Sequence, residues 1–146
     1  MRVAIAIAVL LVAVGGCSGR DFRLERKIAT EVEDNAGAAI RLEEITDYRW
    51  DRFFVFGAYS TPEMVEEELG FAWAEAPPAT TSEIFMLLVF VENKSVVGYV
   101  IQDCKKADFR GLVRPGGYTP DQAVFKVVDH GSGLLVRYEL TLGSSE

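Results

Sequence analysis

Eight consecutive apolar residues, Ile84 to Val91 (IFMLLVFV), admit few folds. A run this short, bounded by polar residues on both sides, reads as a strand with both faces buried. It is far below the ~20 residues that a membrane-spanning helix needs. Glu92-Asn93-Lys94-Ser95 makes a turn, and Val96 to Gln102 returns as a second strand. Arg49 to Ala58 (RWDRFFVFGA) is a further strand, whose centre, Phe53 to Phe56, is also apolar on both faces. Both sides of the sheet's middle therefore need cover. If two short helices sit on one side, the other must curl, dimerise or hold a partner.

The remaining elements follow from spacing. Asp21 to Asp34 reads as a helix, with Leu24, Ile28 and Val32 as a narrow apolar stripe and Asn35 and Gly37 as stop signals. Ala39 to Ile45 reads as a short strand with Ile40 and Leu42 on one side. A second helix starts at Thr61, with Pro62 in its first turn and Gly70 at its end. Met64, Val65 and Leu69 are expected inside it, and Glu63, Glu66, Glu67 and Glu68 form a solvated face. Phe71 to Ser82, with Pro77-Pro78, is a loop. Asp103 to Asp121 is a long connection of the kind that is often functional or mobile. Gln122 to Asp129 and Leu134 to Leu142 form a last hairpin around His130, with Leu134, Val136, Tyr138, Leu140 and Leu142 on its buried face. The expected fold is α+β, a mostly antiparallel sheet of five or six strands with two helices.

The first seventeen residues stand apart. Arg2 precedes twelve apolar residues, Val3 to Val14, and Gly15-Gly16-Cys17 follows. A charged start, a short apolar core and a small-residue cleavage zone make a signal peptide. The string Val14-Gly15-Gly16-Cys17 resembles the lipobox of bacterial lipoproteins. That resemblance implies cleavage before Cys17, a thioether-linked diacylglyceryl group on it, and N-acylation of the new terminus. Two or three acyl chains anchor stably where one does not. With Ser18 rather than Asp after the cysteine, it also implies the outer membrane, facing the periplasm, in a cell with two membranes. The chain then divides into a leader (1–16), a lipidated tether (17–20), one α+β domain (21–142) and a tail (143–146).

The net charge is −7 over 146 residues, and Arg2 is the only charge in the leader, so the remainder carries 14 basic and 22 acidic side chains, net −8. Such a surface repels nucleic acid, and no basic stripe in the sequence offsets it. It also repels an anionic bilayer, which leaves the anchor to hold the protein there.

Candidate chemistry is sparse. Cys17 and Cys104 are the two cysteines. A disulfide is the obvious reading in an exported chain, but lipid on Cys17 leaves Cys104 without a partner. A Cys104–His130 dyad, with Lys105 and Lys106 lowering the thiol pKa, is the sharpest catalytic idea. Were the strand from Gln122 paired beside the one ending at Gln102, His130 would lie roughly 23 Å away, at ~3.3 Å per residue. A base must come within ~3 Å. No spacing suits a metal, and no glycine loop suits a nucleotide or other cofactor. Trp50, Tyr59, Phe71 and Trp73 gather about the second helix as a candidate binding patch, or as core.

The stretch Trp50 to Thr61, with Glu63, Leu69-Gly70-Phe71 and Trp73, resembles a family of small uncharacterised bacterial envelope proteins, over roughly residues 40–102. Thr61 to Gly70 also resembles the helix of small outer-membrane assembly lipoproteins. The family implies no activity. The expectation is a non-enzymatic interaction module with an envelope protein partner. The alternatives are a module binding wall fragments or lipid, or an enzyme dependent on Cys104.

Overall fold

The computed structural model describes residues 19–132 and 137–143. Its organising element is β3 (Phe85–Glu92), hydrogen-bonded between β2 (Arg52–Phe56) and β4 (Ser95–Asp103), all antiparallel. Met86, Leu88 and Phe90 point to one core, and Leu87, Val89 and Val91 to another. The alternation that puts successive side chains on opposite faces thus buries both sides of one strand. The β3–β4 turn places Asn93 and Lys94 at φ 50° and 59°, the left-handed pair that a tight hairpin requires.

A second antiparallel sheet runs β1 (Ala39–Arg41), β5 (Val124–Asp129), β6 (Tyr138–Leu142), with β5 central. The class is α+β with six antiparallel strands, divided between two sheets rather than joined in one. Helix α1 (Phe22–Asp34) begins where the Asp21 carboxylate accepts the Leu24 N–H at 2.9 Å, and it buries Leu24, Ile28 and Val32. These three, both sheets and Trp50 enclose the larger core. Helix α3 (Pro62–Leu69) starts at its Thr61 cap and stops at Gly70, φ 81°. With Trp73 it closes the outer face of β2-β3-β4.

Several details depart from the sequence reading. Ala39 to Ile45 is not one strand: after Arg41 the chain turns into a single helical turn, α2 (Leu42–Ile45), though Ile40 and Leu42 are both buried as expected. Met64 is 55% exposed, because Val65, 100° further round α3, faces the sheet. Leu142 is 58% exposed at the end of its strand. Leu134 and Val136 lie outside the described residues.

The long connection after β4 is structural. Ala107, Phe109, Leu112 and Tyr118 are buried in the larger core. Asp108 exchanges backbone hydrogen bonds with Tyr138 and Leu140, both 2.9 Å, and so extends the second sheet. Tyr118 and Phe53 exchange two bonds of 2.8 Å and extend the first. The buried Asp108 carboxylate is closed off by Arg110, at 2.9 and 2.8 Å. Gly117, the residue before Tyr118, has φ 63°, and a Cβ there would collide with the Phe53 carbonyl oxygen. We expect Gly117→Ala to cost about 2–4 kcal/mol, combining left-handed backbone strain with displacement of β2. Removing the α3 cap, Thr61→Ala, should cost only ~1 kcal/mol. Urea midpoints of the two variants check this; an undisturbed midpoint for Gly117→Ala would show that the strap is not held against β2.

Candidate functional site

The four aromatic residues do not form one patch. Trp50 is in the larger core, its ring 5.5 Å from Phe90 and its Nε1–H donated to Thr46 Oγ1 at 2.9 Å. Trp73 is buried across the sheet, edge-on to Tyr99 at 5.3 Å, and Phe71 packs beside the same second core. Tyr59 is 54% exposed after β2. The sheet β2-β3-β4 therefore separates Trp50 from Trp73 and Phe71.

Cys104 and His130 do not meet as a dyad. Burial, with Asp108 nearby, pushes the Cys104 thiol up to about 11, so at neutral pH it is protonated. Its Sγ lies 4.0 Å from the Glu83 carbonyl oxygen, to which it donates weakly. His130, at the end of β5, holds Glu139 at 2.7 Å. The pairing assumed for the 23 Å separation is also absent, since β5 lies between β1 and β6 and not beside β4. Among the described residues no group of three His, Cys, Asp or Glu side chains is placed to hold a metal. Two of the helix glutamates do more than face water: Glu66 accepts the Trp73 N–H at 2.9 Å, and Glu68 accepts that of Gly116 at 2.6 Å.

A groove of about 690 Å³ lies between α1, the end of β4 and the start of β6. That volume suits a small ligand or a peptide side-chain group. Phe22, Ala29 and Tyr138 supply apolar wall; Arg26, Lys105 and Lys106 supply positive charge, beside the carboxylates of Glu25, Glu33 and Asp103. None of those three cations has an ion-pair partner among the described residues. Gln102 lines the groove at 2% exposure. Its amide donates to the Asp103 carbonyl at 3.2 Å, whereas its Oε1 accepts no hydrogen bond from the described residues.

On the other side of Phe22 lies a concavity of about 600 Å³, lined by Arg20, Arg23, Tyr48, Arg49 and Gly98 among others. Here the chain is stitched down: Arg20 bridges to Tyr99, and the Asp21 N–H donates to the Tyr99 carbonyl at 2.8 Å.

No protein-family model, no curated protein and no solved structure matches this chain.

Both hollows escaped the sequence reading for one reason. Each is assembled from distant segments, residues 22–33 with 102–106 and 137–138 in one, and residues 19–23 with 48–49 and 97–98 in the other. The available signal was the uneven charge of α1, basic over Arg23 to Lys27 and acidic over Glu31 to Asp34.

The buried thiol gives a direct check. At pH 8 maleimide should modify Cys104 roughly a hundredfold more slowly in the folded protein than in the urea-unfolded chain, since thiolate controls reactivity. Equal rates would mean an exposed, ionised cysteine and would reopen the enzymatic reading.

Proposed function

We propose that this chain is a bacterial envelope lipoprotein, lipidated on Cys17, that displays a non-enzymatic interaction domain against a membrane. Cys17 lies outside the described residues, and the lipobox resemblance and the short apolar leader support its role. The structural observation that carries the reading is the stitching of Arg20 and Asp21 to β4. It leaves two residues, Ser18 and Gly19, between an acylated cysteine and the folded domain. At ~3.5 Å per residue the domain stays within roughly 10 Å of the headgroups. A lipid there would hold the whole domain at the surface and not on a long leash. With Ser18 in the sorting position, the reading favours the outer membrane, the domain facing the periplasm.

The groove beside α1 is the surface on which an envelope protein would dock. Its apolar walls and unpaired cations suit a peptide segment carrying both apolar and acidic side chains. The buried, protonated Cys104 gives no support to thiol catalysis. A photo-reactive residue in place of Ala29 or Lys106 should yield a discrete crosslinked neighbour in intact cells, and the yield should collapse in a Cys17→Ser background. A chain that crosslinks to nothing from either position would contradict the interaction reading.

One observation favours a second reading, a small-ligand module binding wall fragments or lipid. The Gln102 Oε1 is a buried acceptor without a donor among the described residues, a costly arrangement that an incoming N–H or O–H group would relieve. Shifts of the Gln102 side-chain amide resonances on titration with peptidoglycan fragments would support it, and unchanged resonances would count against it.

A further inference from the structure

Helix α1 is unevenly charged. Its first half holds Arg23, Arg26 and Lys27 against Glu25, preceded by Arg20 and Asp21, and its last turns hold Glu31, Glu33 and Asp34. The helix dipole favours the reverse, acids at the start and bases at the end. No basic residue stands in the last turn. Apart from Asp21 and Glu25, which suit the helix start, the charges oppose the dipole, and they leave the first half net positive and the last turns negative.

The basic end is also the tethered end. Arg20, Phe22, Arg23, Tyr48 and Arg49 line one concavity of about 600 Å³. Phe22 is 60% exposed, with the Arg20 guanidinium 4.4 Å from its ring centre. Tyr48 closes the floor, and its hydroxyl has no hydrogen-bond partner among the described residues. Gly98 is what admits that hydroxyl, since a Cβ there would sit 2.5 Å from it.

The acidic groups near this face are mostly engaged. Asp21 caps Leu24, Glu25 is held by Arg20 at 2.8 Å, and Asp47 pairs with Lys27 at 3.4 Å. Glu92 remains on the rim. Arg23 and Arg49 are exposed and have no ion-pair partner among the described residues. An arginine cluster beside an exposed aromatic ring, in a domain that is otherwise net acidic, complements anionic lipid headgroups.

We propose that this face seats on a bilayer rich in anionic phospholipid, with Arg23 and Arg49 on headgroup phosphates, Arg20 holding Glu25, and Phe22 at the interface. Lipid on Cys17 provides attachment, and the face provides orientation; the inference rests on the anchored reading of the chain. The acidic end of α1 then points away from the repelling surface. The groove beside α1 is held at a fixed height and angle.

The test uses the full lipidated protein in nanodiscs that contain phosphatidylglycerol and a headgroup spin label, observed by NMR. Amides of Arg20 to Arg23, Tyr48 and Arg49 should broaden, and those of Glu33, Asp34 and His130 should not. Arg23→Glu with Arg49→Glu alters exposed side chains only, so the other amides should keep their positions. It should cut the seated-to-free ratio roughly tenfold or more. High salt should act in the same direction, as should discs of phosphatidylcholine alone. Even, weak broadening over all faces, or broadening indifferent to the charge reversal, would overturn the seating while leaving the anchor intact. Failure of the wild-type chain to remain with the discs would instead overturn the anchor.

Discussion

Two backbone hydrogen bonds between Phe53 and Tyr118, each 2.8 Å, join the strap after β4 to the edge of the first sheet. Ten residues earlier the same strap bonds to β6 through Asp108. One segment thus lends a bridge to each of two separate sheets and satisfies backbone groups that would otherwise be buried unpaired. The Phe53 ring lies at the centre, 5.0 Å from Phe90, 6.0 Å from Tyr118, and 6.2 Å from Phe125. Residues of β2, β3, β5 and the strap meet there. Gly117 is the concession that lets the two backbones approach.

What could be read from the sequence was what local chemistry decides. Asp21, Thr61 and Gly70 mark helix ends because a side-chain acceptor or a left-handed residue is needed there. The Leu24, Ile28, Val32 stripe and the two-sided run of β3 report burial directly. The unread parts depend on contacts between distant segments. The strap carries too few consecutive apolar residues to look like core, yet Phe109, Leu112 and Tyr118 are fully buried. Nothing local distinguishes one six-stranded sheet from two of three. Ile40 and Leu42 are buried whether their segment is strand or helical turn, so burial alone could not decide between them. The four aromatics near α3 in sequence fall on opposite faces of a strand-thick layer, which period-2 alternation can produce and residue proximity conceals.

The same distinction separates address from site. The apolar run Val3 to Val14 and Cys17 are near neighbours in the chain and legible as a motif. The groove and the arginine-lined hollow are built across the fold and share Phe22 at the start of α1. That helix links every functional element proposed: its first residue follows the tether, its inner stripe enters the core, its basic half borders both hollows. If Cys17 carries lipid as proposed, a domain fastened to its sheet so soon after it has little freedom to tumble. Its surfaces then differ by height above the bilayer, and a docking groove beside the tether becomes a membrane-proximal one.

Everything proposed about location depends on acyl chains at residue 17. Mass spectrometry of the mature protein's N-terminal peptide tests this most directly. The account predicts a peptide beginning at Cys17 and carrying a diacylglyceryl thioether with an additional N-acyl chain. A peptide that retains the leader from Met1, or that shows a free thiol at Cys17, would contradict it.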